Sequence, residues 1–224
     1  MIIPAYNEEE SIGFVLRDIP KELVRQIIVA NNNSNDNTAI VAAENGAVVV
    51  EQPEKGYGAA CLKAIDRSLS TSPKPDILVF LDGDYSDHPE EMSTLLKPIL
   101  NGEAELVIGS RSLGAREKGS MMPQQIFGNW LATTLMKLFY SKSEFSDLGP
   151  FRAITRSAYE KIGMIDRNFG WTVEMQVKAL KKKISSVEVP VSYRRRKGIS
   201  KVSGTLKGSI LAGYKIIYTI FKYA

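Results

Sequence analysis

The amino-acid sequence predicts an α/β domain built on a mixed, mainly parallel sheet that is flanked by helices. In its first half, short apolar runs alternate with longer segments in which apolar residues recur every three or four positions. Strands that alternate with helices in this way form βαβ units, and these units produce parallel strands. The predicted strands are 2–3, 26–30, 47–51, 76–81 and 105–109, and the predicted helices are 8–18, 37–45, 57–69 and 89–100.

Individual elements of the first half carry the signs of their class. The apolar residues of the first helix, from Ile12 to Ile19, follow the helical period. Gly46 stands just after the second helix, where a glycine commonly ends a helix. The run 77–80 is entirely apolar, which indicates a strand buried on both faces.

The pattern changes after residue 109. Residues 110–123 are polar and contain glycine, which favours a mobile loop. Residues 124–140 have helical apolar spacing, which is typical either of a helix packed on the sheet or of one wall of a substrate groove. A late strand is predicted at 184–193, and a basic loop follows from Arg194 to Lys201.

The last predicted helix, 205–224, is amphipathic. Its lysines Lys207, Lys215 and Lys222 fall within roughly 80° of one another around the helix axis, and tyrosines are interleaved with them. This pattern suits a helix that lies in a membrane interface, and the alternative is a helix docked on the domain. Since no internal repeat or low-complexity linker interrupts the chain, we predict one domain over residues 1–224.

Composition limits the class of protein. A chain of 224 residues with 44% apolar and 24% charged residues is ordinary for a soluble globular protein. Its net charge of +4 fits an anionic substrate or membrane surface but is too small to indicate nucleic acid. The single cysteine, Cys61, excludes an internal disulfide, fits a reducing compartment and is predicted to be a core residue. With no signal-peptide pattern or bilayer-spanning run, we expect a cytoplasmic protein.

Two aspartates, Asp82 and Asp84, directly follow the apolar run 77–80. In open α/β sheets, ligands bind outside the carboxyl ends of the strands. Carboxylates are hard oxygen ligands that suit Mg²⁺ or Mn²⁺, and such a cation can hold a diphosphate. The alternative is an acidic turn with no bound ion.

A series of motifs in this order and spacing resembles glycosyltransferase family 2, and within it the dolichyl-phosphate or polyprenyl-phosphate mannose and glucose synthases. The resemblance covers nearly the whole chain and implies a GT-A-like fold. It also implies metal-dependent, inverting transfer of a sugar from a UDP- or GDP-linked donor to a polyprenyl phosphate such as dolichyl or undecaprenyl phosphate. The motifs are IPAYNEE at 3–9, NNNSNDNT at 31–38, KGYGAA at 55–60, DGD at 82–84, DLGPFR at 147–152 and RRKGISK at 195–201.

The resemblance assigns nucleotide binding to residues 1–110 and acceptor binding to residues 111–204. Where the family usually has two aspartates, this chain has Asn31 and Asn32, whose amides both donate and accept hydrogen bonds. The residues expected to bind the donor and its metal are Pro4, Ala5, Tyr6, Asn7, Glu8, Asn32, Lys55, Asp82, Gly83, Ser200 and Lys201, with Asp82 and Asp84 as the metal ligands.

Simpler structural roles remain open for some of these residues. Asn7 is a possible cap of the first helix, and Asp36 a possible cap of the second. Gly56 and Gly58 are small enough to let a ligand approach the backbone. His88, the only histidine, is interpreted as part of the local loop structure rather than as a base.

The expected catalytic residues include two carboxylates whose role depends on the acceptor. Family members that glycosylate hydroxyls often have Glu-Asp where this chain has Val173-Glu174. A phosphate acceptor is already ionised near neutral pH and needs little help from a base, so this departure favours polyprenyl phosphate. The expected catalytic set is Asp84, Arg111, Asp147, Glu174 and Arg195.

Two alternatives stay open at this stage. One is a family 2 transferase that acts on a saccharide hydroxyl, with Asp147 or Glu174 as base. The other is a non-catalytic subunit that binds a nucleotide-sugar. We expect peripheral membrane contact at the cytoplasmic face and no nucleic-acid partner, and the sequence does not predict an oligomeric state.

Overall fold

In a computed structural model, which describes residues 1–140, 143–198 and 206–223, a seven-stranded sheet forms the centre of the fold. The strand order is β3-β2-β1-β4-β6-β5-β7. All neighbouring strands run parallel except β6, which is antiparallel to both β4 and β5. The strands are β1 Ile2–Ala5, β2 Ile28–Asn31, β3 Val48–Glu51, β4 Ile77–Phe80, β5 Leu106–Ser110, β6 Arg152–Thr155 and β7 Ser186–Pro190.

Helices cover both faces of this sheet. Successive strand residues point to opposite faces, so Ile2 and Leu78 contribute to one apolar core and Ile3 and Val79 to the other. The helices are α1 Ile12–Asp18, α2 Thr38–Glu44, α3 Tyr57–Leu69, α4 Met92–Leu100, α5 Pro123–Phe139, α6 Arg156–Ile162, α7 Trp171–Lys181 and α8 Leu206–Tyr223, with 3₁₀ turns at Lys21–Leu23 and Pro89–Glu91. Among the described residues, no helix is long and apolar enough to cross a membrane.

The predicted α/β class and most elements are confirmed, including helix 57–69 at both ends. Gly46 has φ +83° just after α2, as a helix-ending glycine does. Cys61 is a fully buried free thiol. The predicted late strand is shorter than expected and covers only Ser186–Pro190.

The prediction that Asn7 caps the first helix is wrong. Helix α1 begins at Ile12, and Asn7 lies in a turn with φ +54°. Asp36 does support the start of α2, because its carboxylate accepts the backbone N–H of Thr38 at 3.0 Å. It also accepts the N–H of Glu9 at 3.2 Å, so one carboxylate ties together the turns that follow β1 and β2.

The antiparallel strand β6 and the helix α6 were not predicted. Arg152, the first residue of β6, pairs with Phe80 on β4 and with Ile108 on β5. Because β6 runs in the opposite direction, its start lies at the same sheet edge as the carboxyl ends of β4 and β5. The segment 147–151 is thereby delivered to the edge where Asp82 follows β4.

Gly56 and Gly58 make room for the protein's own backbone, not for a ligand. A Cβ at either position would lie 2.1 Å from a carbonyl oxygen, that of Arg167 for Gly56 and that of Asp166 for Gly58. The amide of Ala59 donates to the Arg167 carbonyl at 2.8 Å. The start of α3 is therefore packed directly on the segment that precedes α7.

We expect Gly58→Ala to lower the free energy of unfolding by about 1–3 kcal/mol, because its Cβ overlaps a backbone carbonyl that cannot move alone. Gly128→Ala is the matched control, since that helical position has no atom within 4 Å of the added Cβ. It should raise stability by up to about 1 kcal/mol through helix propensity. Urea unfolding of both variants checks this, and a gain in stability at Gly58 would contradict the packing argument.

Candidate active site

Asp82 and Asp84 lie in the turn that follows β4. Asp84 is 7% exposed, and its Oδ1 accepts the backbone N–H of Ser86 at 3.0 Å and the Ser86 hydroxyl at 2.5 Å. Asp82 accepts the hydroxyl of Tyr57 at 2.9 Å. Burial and the neighbouring Asp84 carboxylate raise the pKa of Asp82 to about 7.

A third carboxylate, Asp87, adds to the negative charge of this turn. It is 2% exposed, and within the described part of the chain neither of its oxygens has a hydrogen-bond donor in good geometry. Burial, followed by the charges of Asp82 and Asp84, raises the pKa of Asp87 well above its usual value. The described side chains therefore leave the acidity of this turn only partly neutralised.

This donor set fits a divalent cation. A cation between Asp82 and Asp84 would offset the like-charge repulsion that raises the pKa of Asp82. Among the described residues, no three His, Cys, Asp or Glu side chains form a metal-binding group, so the protein supplies few ligands. Mg²⁺ is commonly held in this manner, by one or two carboxylates together with phosphate oxygens and water.

Arg196 connects this turn to the loop after β1. Its Nη1 lies 3.1 Å from Oδ2 of Asp84, and its Nη2 lies 2.8 Å from Oε1 of Glu8. Among the residues that the structure describes, none accepts a hydrogen bond from the buried Nε of Arg196. The guanidinium thus faces the acidic turn with one donor still unsatisfied.

Arg195, which the sequence favoured, points elsewhere. It is exposed, and its Nε and Nη2 donate to the carbonyl of Lys118 at 2.8 and 2.6 Å. Its backbone N–H donates to Glu117. Arg196, and not Arg195, therefore joins the acidic cluster formed by Asp82, Asp84 and Asp87. The other two predicted residues of this loop, Ser200 and Lys201, lie outside the described residues.

Arg111 and Asp147 form a buried ion pair. Arg111 donates from Nε to Oδ2 at 2.9 Å, from Nη2 to Oδ1 at 2.6 Å and from its backbone N–H to Oδ2 at 2.6 Å. Burial by itself lowers the pKa of Arg111, but the Asp147 carboxylate more than offsets this and raises it. Since both oxygens of Asp147 are engaged, the structure favours a positioning role for it and not that of a base.

Glu174 lies in a different set of contacts. It is fully buried, pairs with Lys178 at 2.8 Å and accepts the hydroxyl of Tyr223 at 3.0 Å. It also accepts the backbone N–H groups of Ile165 and Asp166. These contacts join α7, α8 and the preceding loop, so the structure does not bring Glu174 into the acidic cluster as a base.

Asn32 organises the loop that carries Lys55. Its Nδ2 donates to the carbonyls of Gln52 at 3.2 Å and Glu54 at 2.7 Å, and its Oδ1 accepts the N–H of Gly56 at 2.8 Å. A carboxylate could not make the two donated bonds. The asparagine at this position is thereby explained by the loop it supports.

The loop after β1 lies at the same edge of the sheet as Asp82 and Asp84. The Lys55 ammonium lies 3.3 Å from the Tyr6 hydroxyl and 5.0 Å from the centre of its ring. Asn7 accepts the N–H of Asn35 at 2.8 Å, and the carbonyl of Gly83 accepts the hydroxyl of Ser11 at 2.8 Å. Pro4 and Ala5 are buried in β1 itself, so they support this loop from below.

Three members of the cluster were not singled out from the sequence: Tyr57, Asp87 and Arg196. Each lies within a motif that the sequence did mark or within three residues of one. Motif position alone could not show which of the neighbouring residues points inward. That choice depends on the paths of loops that meet only in the folded chain.

We expect Asp147→Asn to destabilise the fold by about 3 kcal/mol or more, because the buried Arg111 would keep its charge and lose its counterion. The matched control is Glu160→Gln, which breaks the exposed pair between Arg156 and Glu160 at 3.3 Å. That change should cost less than about 0.5 kcal/mol. Urea unfolding measures both. A fully stable Asp147→Asn variant without catalytic activity would instead favour Asp147 as a base.

Comparisons with known proteins identify the family of this chain. Residues 1–163 match the model of the family described as Glycosyl transferase family 2. An uncharacterized glycosyltransferase of Mycobacterium tuberculosis is 35% identical over 215 residues, which covers 95% of this chain and 93% of that protein. The polyprenol monophosphomannose synthase of Mycolicibacterium smegmatis is 28% identical over 217 residues, covering 92% of this chain and 81% of that protein.

A solved structure shows the same fold. The M. tuberculosis glucosyl-3-phosphoglycerate synthase, in complex with Mn²⁺, UDP and glucosyl-3-phosphoglycerate, has a TM-score of 0.78 at 22% identity. The match covers 99% of this chain and 78% of that one. The GT-A-like fold that the motifs implied is confirmed. With its family match, its relatives and its mixed sheet in agreement, this chain belongs to glycosyltransferase family 2.

Proposed function

We propose that this glycosyltransferase moves a sugar from a nucleotide diphosphate to a polyprenyl phosphate, with inversion at the anomeric carbon. The choice of a phosphate acceptor rests on one observation: the carboxylate oxygens of both candidate bases are already engaged within the protein. Both oxygens of Asp147 hold Arg111, and both oxygens of Glu174 hold Lys178, Tyr223 or backbone N–H groups. An acceptor that is already ionised needs no such base.

In the proposed reaction, an acceptor phosphate oxygen attacks the anomeric carbon from the face opposite the nucleotide. The bond from that carbon to the diphosphate oxygen breaks, and its electron pair leaves with the nucleotide diphosphate. A Mg²⁺ or Mn²⁺ ion held by Asp82 and Asp84 would supply charge neutralisation at the diphosphate. Arg196 lies beside Asp84, where its guanidinium can bind a phosphate oxygen.

The remaining donor contacts belong to the loops at the ends of β1, β2 and β3. We assign Tyr6, Asn7 and Asn32 to the placement of the base and ribose, and Lys55 to the phosphates or to the ribose edge. Lys55 stands against Tyr6, so both side chains border the same space. The donor is a UDP- or GDP-linked sugar, and the experiment below distinguishes the bases.

A second surface supports a lipid acceptor. Only Ala132, Thr133 and Met136 of α5 are buried, whereas Phe127 is 60% exposed and Trp130 58% exposed. This favours the interpretation of α5 as a groove wall over that of a helix packed on the sheet.

Cations lie next to these exposed rings. A cavity of about 320 Å³ between α5 and the preceding loop is lined by Arg116, Met121, Trp130 and Lys137, among others. Aromatic rings beside cations suit an isoprenoid chain that ends in a phosphate. We place this face against an anionic membrane surface, on the cytoplasmic side.

Helix α8 combines both roles that its sequence allowed. Thr219 and Ile220 are buried against the domain, while Ile210, Leu211 and Tyr214 are exposed. Lys222 is also exposed, beside the ring of Tyr223. The apolar outer face and the lysine fit peripheral contact with anionic lipid.

The donor site is tested by melting the protein with UDP, GDP or dTDP, each with and without Mn²⁺. A nucleotide at about 100 times its Kd adds roughly 2.7 kcal/mol of stability, or about 5–10 °C for a chain of this size. We expect one nucleotide to act, only with Mn²⁺, and Asp84→Asn or Arg196→Ala to abolish the shift. Arg195→Ala is the matched control and should keep it. The donor proposal fails if no nucleotide stabilises the wild-type chain.

The acceptor is tested with radiolabelled donor and three acceptors: polyprenyl phosphate in anionic vesicles, 3-phosphoglycerate and a free saccharide. We expect transfer to the lipid phosphate alone. Replacing both Phe127 and Trp130 with Ser removes two exposed aromatic side chains, each worth about 1.5–3 kcal/mol when fully buried. The double variant should lose vesicle co-sedimentation and lipid transfer by more than tenfold, yet keep the nucleotide-dependent melting shift.

Ile40→Ser is the control for that variant, because Ile40 is 58% exposed on α2, away from α5 and α8. It should leave vesicle binding and lipid transfer unchanged. Transfer to the saccharide with none to lipid phosphate would establish the hydroxyl alternative. Transfer to 3-phosphoglycerate alone would keep the phosphate class and remove the lipid.

A further inference from the structure

We infer that Phe14 and Tyr85 form an aromatic latch that fixes the basic segment 194–197 over the acidic turn 84–87 and so positions Arg196. Phe14 is then a positioning residue for donor binding: it packs on the ring of Tyr85 and has no polar group with which to bind the donor itself. This inference rests on the proposed function only for its effect on donor affinity. The latch itself is a property of the described chain.

Backbone hydrogen bonds already join the two segments. The N–H of Arg194 donates to the carbonyl of Ser86 at 2.9 Å, and the N–H of Lys197 donates to the carbonyl of Asp84 at 3.0 Å. The Arg194 side chain adds bonds to the carbonyls of Tyr85 at 2.8 Å and Asp87 at 2.9 Å. Arg196 lies between these anchored residues, so its guanidinium is held at Asp84.

Two aromatic rings close the contact from the side of α1. The Cζ of Arg194 lies 3.5 Å from the centre of the Tyr85 ring, and the Nζ of Lys197 lies 3.6 Å from the centre of the Phe14 ring. The rings are 5.5 Å apart. The Tyr85 hydroxyl donates to Asp18 of α1 at 2.5 Å. The two cation–ring distances, 3.5 Å for Arg194 and 3.6 Å for Lys197, lie within the range in which a cation is attracted to a ring face.

The latch also explains the backbone conformation of Tyr85 and the exposed position of Phe14. Tyr85 has φ +64°, a left-handed conformation that persists in a non-glycine residue only where surrounding contacts enforce it. Phe14 is 36% exposed on a surface helix, where no apolar core requires it. Arg194 and Asp18 supply the enforcing contacts to Tyr85. The centre of the Phe14 ring lies 3.6 Å from Nζ of Lys197 and 4.5 Å from Cζ of Arg17 on its own helix, so Lys197 is the cation that the ring gains from the basic segment.

The four consecutive cations 194–197 therefore make different contacts. Arg194 and Lys197 hold the rings, and Arg195 holds the Lys118 carbonyl. Of the four side chains, only that of Arg196 lies within 3.1 Å of a carboxylate among the described residues. The basic segment 194–197 therefore holds one arginine, Arg196, at the acidic turn, and its other three cations bind within the protein.

The test compares Phe14→Leu, which keeps apolar volume and removes the ring, with Phe14→Tyr, which keeps the ring. Phe139→Leu is the matched control, since Phe139 is 39% exposed and packs on Phe221 of α8 instead. Hydrogen exchange at the amides of Arg194 and Lys197 is measured without ligand. Calorimetry then gives the Kd of the nucleotide diphosphate with Mn²⁺.

We expect Phe14→Leu to speed exchange at the Lys197 amide and to weaken nucleotide binding, each by about 3- to 10-fold. Its KM for acceptor should stay unchanged, and Phe14→Tyr and Phe139→Leu should stay within about twofold of wild type in both measurements. The latch is refuted if Phe14→Leu leaves the exchange rates unchanged. Faster exchange with unchanged nucleotide affinity refutes the positioning role. If wild type binds no nucleotide, the proposed function fails, while the exchange data still decide the latch.

Discussion

Burial of carboxylates at one edge of the sheet is the constraint on which the rest of the site depends. An ionised carboxylate that leaves water must find a cation or several hydrogen-bond donors, or else its pKa rises. Asp147 meets this requirement with Arg111, and Asp84 meets it with Ser86 and Arg196. These pairings fix two arginines at the sheet edge with their charges directed by the acids beneath them. We propose that an anionic ligand can therefore bind without a prior rearrangement of these charges.

The direction of β6 makes this assembly possible. If β6 ran parallel to its neighbours, Asp147 would enter from the opposite edge and could not reach Arg111. The reversed strand brings its starting residue, Arg152, beside the ends of β4 and β5. Arg152 is 1% exposed, and it donates to the carbonyls of Leu148, Gly149 and Thr172. A buried arginine thus stabilises the very loop that delivers Asp147, and burial lowers its own pKa to about 10.

The sequence could predict the features that depend on neighbouring residues, and it could not predict those that depend on contacts between distant segments. The first five strands and the helices around them follow apolar periodicity, which is a property of neighbouring residues, and the structure has them close to the predicted positions. Strand β6 escaped notice because four residues beginning with an arginine do not look like a buried strand. The choice between Arg195 and Arg196 also escaped, because it depends on where Glu117 and Glu8 lie after folding. The sequence could assign Asp82, Asp84 and Lys55 to one edge of the sheet because each follows a strand of the same parallel set.

The same contacts bear on which acceptor the site suits. A hydroxyl acceptor must give up its proton as it attacks, so a carboxylate near the sugar has to be free to take it. Asp147 and Glu174 each spend both oxygens on cations or N–H donors, and the oxygens of Asp87 are enclosed. Freeing Asp147 would leave Arg111 buried without its counterion, which is costly. A phosphate acceptor avoids that cost because it arrives with its negative charge already formed. Arg196, which we propose as a ligand of the donor diphosphate, would also suit a second phosphate beside it.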